Sequence, residues 1–241
     1  MTLVVAIKCK DGLVMASDGQ AIGTAASGMI KHDMRKIFRI GSGSLLGASG
    51  TIGIIQKSLE IVQSFSEEFD KGINTELRRL IRGKLSELCI DAQNIHRQYY
   101  GSLDGAPIAD IIICARDAAG KQRIWHIGKD GNDEYLDDVG YACTGSGDAF
   151  AYTILRGLDI KAFDMNTGKL IAYKAIRKAG DVGASGLGDP IDIWSVGDNG
   201  VAKRESAADM EVMTAAYSRL MQEETMLIKQ ISTSCGIKVG K

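Results

Sequence analysis

The chain has 241 residues, 45% of them hydrophobic, and its 29 lysines and arginines against 30 aspartates and glutamates leave a formal net charge of −1. That length suits one layered α/β domain with its own core, and the near-neutral charge argues against a general nucleic-acid binder or a polybasic membrane-surface protein. The five cysteines, Cys9, Cys89, Cys114, Cys143 and Cys235, are odd in number and lack CxxC spacing, so neither a disulfide framework nor a zinc site is suggested and a reducing cytoplasm fits best.

Residues 3–7 and 13–17 alternate and are rich in Val, Ile and Leu, and Lys10-Asp11-Gly12 between them has turn chemistry; together they predict a β-hairpin. A glycine-rich loop, Gly23 to Gly28, leads to a second strand pair at 36–40 and 44–47. Thr51 to Phe65 places Ile52, Ile55, Leu59, Val62 and Phe65 at helical spacing. Asn74 or Thr75 then caps a second helix that carries Leu77, Leu80, Ile81, Leu88, Ala92, Ile95 and Tyr99. Strands return at 108–115, 123–127 and 140–143, parted by turns at 117–120 and 129–132. Helices at about 146–158 and 165–179 precede a strand at 191–196, and Pro107 and Pro190 each stand just before a strand, where a missing amide hydrogen costs little.

Such runs predict an α+β fold in which two antiparallel sheets lie between helical layers, αββα. The tail reads differently: Met210, Met213, Tyr217, Leu220, Leu227 and Ile231 form a heptad-like stripe broken by Glu224. Residues 2–204 are therefore one domain and 205–241 a C-terminal helical extension, packed on its own domain or meeting another subunit or a partner. No signal peptide opens the chain, and no apolar run approaches the roughly 18 residues of a membrane span.

Thr2 follows the initiator methionine. Removal of Met1, which needs no propeptide, exposes a threonine with a free α-amine, so that nucleophile and base are one residue. The amine, with a reference pKa of about 8, is a competent general base near neutral pH.

The hairpin behind Thr2 resembles the opening of proteasome β-subunits and HslV-type peptidases. The resemblance continues through Ser17-Asp18-Gly19-Gln20-Ala21, Arg35-Lys36-Ile37-Phe38-Arg39-Ile40, Gly47-Ala48-Ser49-Gly50, Cys143-Thr144-Gly145-Ser146-Gly147-Asp148 and Ala179-Gly180-Asp181-Val182-Gly183-Ala184, in family order over about residues 2–197. It implies the four-layer sandwich of the N-terminal-nucleophile hydrolases. Thr2 is then the nucleophile, Lys36 the ammonium that lowers the pKa of its neighbours, and Asp18 the carboxylate that fixes Lys36. The Gly47 N–H serves the oxyanion, and Ser146 supports the threonine amine or caps the helix that starts near Asp148.

The family's later aspartate and serine, three residues apart, correspond imperfectly to Asp181 and Ser185, which are four apart; an HslV-like alignment puts Gly183 and Gly186 there. In HslV-type enzymes this loop holds a cation on backbone carbonyls, which implies a structural ion at Gly180, Gly183 and Gly186. Ala21 and Ile22 are expected to pair with an extended peptide, and Leu45 and Ser49 to line the first specificity pocket, favouring moderate apolar residues. His32, His96 and His126 lack mutual ligand spacing and have structural or surface roles.

The preferred function is a threonine-type endopeptidase subunit of a self-compartmentalising ring complex. The resemblance implies stacked homo-oligomeric rings, peptide or unfolded-protein substrates, an ATPase unfoldase as partner, no required cofactor and a cytoplasmic location. The alternatives are an N-terminal-nucleophile amidase or transpeptidase on the same fold, and a noncatalytic ring scaffold. Retention of Thr2, Asp18, Lys36 and Ser146 together argues against the last.

Overall fold

A computed structural model describes residues 2–25, 28–182 and 186–234, with the backbone alone over 21–25 and 28–32. β1 (Leu3–Cys9) and β2 (Gly12–Ser17) form the expected opening hairpin, and β3 (Gln20–Ala25) with β4 (Gly28–Asp33), then β5 (Ile37–Ile40) with β6 (Ser44–Gly50), follow as antiparallel pairs. Helices α1 (Ile52–Gln63), α2 (Ser66–Lys71) and α3 (Thr75–Tyr100) lead to β7 (Ala109–Arg116), β8 (Gln122–Ile127), β9 (Asp133–Tyr135) and β10 (Tyr141–Gly145). Then come α4 (Asp148–Leu155), a 3-10 turn (Ile160–Ala162), α5 (Met165–Asp181), β11 (Asp192–Gly197), β12 (Ala202–Arg204) and α6 (Ala207–Ser234). The chain divides into two compact units, the first ending at Arg204 and the second beginning at Glu205.

In the first unit two five-stranded antiparallel sheets, ordered β10-β1-β2-β11-β12 and β5-β6-β7-β8-β9, face each other. Val4, Ala6, Leu13 and Met15 of one meet Ile37, Leu45, Ile112 and Ile124 of the other, all fully buried. On the outer face of the second sheet, Leu46, Ala48, Ile113 and Trp125 pack with Ile54, Val62 and Ile81 of α1 and α3. Against the outer face of the first, α5 lies so close that a Cβ on Gly168 would collide with Cys9 Sγ, and one on Gly12 with Met165 Sδ. These are the four layers of the expected αββα sandwich. Burial on both faces explains why β1 and β2 read as nearly continuous apolar runs.

Asn74, not Thr75, caps α3, its Oδ1 accepting the Leu77 N–H at 2.9 Å. Several boundaries differ from expectation. The stretch Gly23 to Gly28, read as a loop from its glycines, is largely strand: Gly23 pairs with Ile30 and Ala25 with Gly28 in the β3/β4 ladder. Glycine weakens a strand but forbids no ladder hydrogen bond, and the β-branched residues at 22, 24 and 30 favour extended backbone. The helix expected to reach Phe65 stops at Gln63 and α2 begins separately at Ser66. The three-residue strands β9 and β12, too short to show a period, were not anticipated. In the second unit, α6 has no buried residue, and Met226, Leu227, Ile228 and Ile231 are each more than half exposed. Among the described residues no helix is long and apolar enough to cross a membrane.

One ion pair gives this fold a pH signature. His126 Nε2 on β8 lies 2.6 Å from Asp110 Oδ1 on β7, and Glu134 Oε1 is 3.6 Å from its Nδ1. The hydrogen bond to Asp110 raises the imidazole pKa despite the opposing effect of burial. A raised folded pKa contributes stability that is fully present below the unfolded value of about 6.5 and is lost as pH rises through the folded value. His126→Gln is therefore expected to cost about 1 kcal/mol in urea melts near pH 6 and much less near pH 9. An equal cost at both would contradict this.

Candidate active site

Thr2 stands one residue before β1 and is half-buried. Its backbone N–H donates to Ser146 Oγ at 3.2 Å, and the hydroxyl donates in turn to the Thr2 carbonyl at 3.4 Å. The β1/β10 register, Leu3 opposite Gly145 and Val4 opposite Thr144, delivers Ser146 to that position. Gly145 has φ +111°, and a Cβ there would collide with the Thr2 carbonyl oxygen, so the turn demands glycine. Ser146 is not used as a helix cap: Gly147 is the N-cap residue of α4 and no side chain caps it.

Asp18, fully buried just after β2, organises the other side of Thr2. Its Oδ1 accepts the Leu3 N–H at 2.8 Å and the Lys36 ammonium at 2.7 Å, while Oδ2 accepts the Gln20 N–H at 3.3 Å. Lys36, just before β5, also donates to the Gln20 carbonyl at 2.6 Å. That carbonyl carried no sequence signal, because any residue supplies one. Burial pulls the Lys36 pKa below its ordinary value, and the Asp18 charge and hydrogen bond offset only part of this. The ammonium is thus held beside the backbone that leads into Thr2, in a state that gives up its proton more readily than a solvated lysine.

The register of β6 corrects three expectations. Ile37 lies opposite Gly47, and Ala48 N–H donates to the Lys36 carbonyl at 3.2 Å. Amides alternate in direction along a strand, so Ala48 N–H points toward β5 and Gly47 N–H toward β7. The Gly47 amide is therefore on the wrong side to meet an oxyanion beside Lys36. Side chains alternate too, and 45, 47 and 49 face the opposite sheet. Leu45 packs in the core between the sheets, and a Cβ on Gly47 would collide with Val4 Cγ1. Ser49 Oγ is buried and bonded to Thr144 Oγ1 at 2.7 Å. Leu45 and Ser49 are both taken up in buried contacts between the sheets, and the size preference inferred from Leu45 loses its basis. Leu46 and Ala48 point instead to the outer face, against α1 and α3, because one residue of register flips every side chain to the other face.

Ala21 and Ile22 lie on β3, opposite His32 and Lys31 of β4; among the described residues β3 pairs with β4 alone. Asp181 is exposed at the end of α5, beside a cavity of about 220 Å³ lined by Gly180, Leu187 and Gly188. Gly188 belongs to the site's surroundings, its carbonyl accepting the Gly19 N–H at 3.1 Å. Ser185 and Gly183 lie outside the described residues, and Gly186 has φ +95°. No cluster of three or more His, Cys, Asp or Glu side chains able to hold a metal occurs among the described residues; this does not bear on a carbonyl site at Gly180, Gly183 and Gly186.

Other nucleophiles are poorly placed. Cys9, Cys114 and Cys143 are buried free thiols, and burial pushes the Cys9 pKa up to about 12 and the other two upward as well, which suppresses thiolate at neutral pH. His96 contacts the Asp104 carbonyl and the Tyr100 ring, and His126 is committed to Asp110.

A family model described as "Proteasome subunit" matches residues 2–194. The proteasome subunit beta of Stackebrandtia nassauensis is 27% identical over 189 residues, which cover 75% of this chain and 63% of that protein. The proteasome subunit beta of Jonesia denitrificans is 25% identical over 201 residues, 81% of this chain and 62% of that protein. The corresponding Mycobacterium tuberculosis protein is 27% identical over 182 residues, 75% and 60% of the two lengths. The chain thus spans about three fifths of these relatives. In structure it is similar to the Gly-1 mutant of Anbu from Hyphomicrobium sp. strain MC1, with a TM-score of 0.68 and 17% identity, over 93% of this chain and 97% of that one. At that identity the likeness is one of fold.

Proposed function

Because the chain belongs to the proteasome subunit family, we propose that it is a threonine-type endopeptidase subunit whose nucleophile is Thr2, exposed as the first residue by removal of what precedes it. The observation that carries this reading is convergence on one residue. Ser146 Oγ is 3.2 Å from Thr2 N, and the buried Asp18–Lys36 pair is anchored on the next amide, Leu3 N–H.

With a free amine, Thr2 Oγ attacks the peptide carbonyl carbon while its proton passes through a water to the Thr2 nitrogen, which Ser146 orients. The Lys36 ammonium favours the deprotonated forms of both groups. The amide assigned to the oxyanion in place of Gly47 N–H is that of Gly50: it shares the direction of Ala48 N–H, away from β7, and lies beyond the bond that commits Ala48 N–H to the Lys36 carbonyl. Collapse of the tetrahedral species breaks the C–N bond, the leaving amine takes the proton, and a Thr2 ester remains for water to hydrolyse. No metal or cofactor enters this chemistry. A peptide adding as a strand along β3, near Ala21 and Ile22, would be oriented for attack.

The proposal extends to stacked rings of this chain, unfolded polypeptide as substrate, an ATPase unfoldase for folded substrates, and residues 205–241 as a helical extension of the catalytic domain. The test compares a chain that begins at Thr2 with one that retains a single residue before it. The first is expected to cleave fluorogenic peptide amides and the second to run at less than about 1% of that rate, its nitrogen being acylated. Equal rates would overturn the proposal.

A further inference from the structure

The apolar interface between the two sheets contains one hydroxyl pair that packing does not require. Ser49 Oγ on β6 and Thr144 Oγ1 on β10 are 2.7 Å apart, with the residues only 4% and 0% exposed. Two hydroxyls in an apolar interior are costly unless they bond each other, and an Ala/Val pair would fill the same space without that requirement.

Their position gives the bond a use. Thr144 lies opposite Val4 and two residues before Ser146, which holds Thr2 N. Ser49 directly precedes Gly50, whose amide points away from β7 as that of Ala48 does. The bond therefore ties together the two strands that carry the groups assigned to the amine and to the oxyanion. Among the described residues β10 is an edge strand, paired with β1 alone. Its outer edge is pinned by the Tyr152 hydroxyl, which accepts from Cys143 N–H at 3.2 Å and lies 3.3 Å from the Cys143 carbonyl. Neither contact fixes β10 against the facing sheet. The apolar contacts of Val4, Leu45 and Ile112 are non-directional and tolerate small slides. A hydrogen bond is directional, and this one stands at the Thr2 end of the interface.

We propose that Ser49 and Thr144 are positioning residues for the Thr2 site, a hydroxyl clasp that sets the distance between the Ser146 hydroxyl and the Gly50 amide; this rests on the function proposed above. Ser49→Ala and Thr144→Val each leave one buried hydroxyl unpaired, so each lowers Tm, and each lowers kcat about tenfold with KM held within about twofold. The Ser49→Ala/Thr144→Val double variant has no orphaned hydroxyl and regains wild-type Tm, yet its kcat stays about tenfold down. Thr144→Ser keeps the bond and stays within about twofold of the wild-type rate.

Recovery of kcat together with Tm in the double variant, or wild-type kcat in the single variants, would reduce the bond to a stabilising contact and overturn the inference. A wild-type chain without Thr2-dependent turnover would overturn the functional reading and the clasp with it. An active wild type with a fully active double variant overturns the clasp alone.

Discussion

Thr2→Ala is expected to lower peptide-amide turnover by at least about a thousandfold while changing unfolding stability by less than about 0.5 kcal/mol. Thr2 is half-buried and precedes β1, so its hydroxyl contributes little to the core. Its backbone N–H and carbonyl make the contacts with Ser146, and alanine retains both. What alanine removes is the nucleophile, and no nearby group replaces it: the buried cysteines have raised pKa values. Thr2→Ser keeps both hydroxyl and amine and should leave the rate within about tenfold of wild type. Full turnover by Thr2→Ala would place the chemistry elsewhere.

Lys36→Ala should be damaging in two separable ways. The Lys36–Asp18 pair is 3% and 0% exposed in its side chains. Removing the ammonium leaves a buried carboxylate supported by backbone N–H groups alone, at a cost of about 3–5 kcal/mol. It also deletes the charge that acidifies the Thr2 groups, lowering turnover at least about a hundredfold. The Asp18→Asn/Lys36→Met variant separates the two effects. With neither charge present, chemical denaturation should return to within about 2 kcal/mol of wild type, because an ion pair replaced by neutral groups costs far less than one broken in half. Turnover should stay at the Lys36→Ala level. Activity that recovered in step with stability would make the pair structural and nothing more.

The opening hairpin, the β5/β6 pair and the helix capped at Asn74 were legible because each carries a local signal: alternation, turn residues or a capping side chain. The candidate site was legible where it hangs on such signals. Asp18 follows the second strand of the hairpin, Lys36 directly precedes β5, and Ser146 lies within a glycine turn that tolerates the approach of Thr2. The register of β6 was not legible. All of its residues but Gly50 are buried, so apolar residues on both faces erase the alternation that would report which side chains point where. A motif match alone then gives no sign that the Gly47 amide turns toward β7, or that Leu45 and Ser49 are spent between the sheets. The Ser49–Thr144 bond joins residues 95 apart in sequence, a separation at which a single chain gives no warning of contact.

Intact mass spectrometry of the purified protein, before and after treatment with a peptide epoxyketone, tests the central claim most directly. This reagent closes its ring only on a threonine that offers both its hydroxyl and its free amine. The expected result is a chain that begins at Thr2 and gains a single adduct located on that residue, with no adduct on Thr2→Ala. A chain that begins at Thr2 and remains unmodified would contradict it.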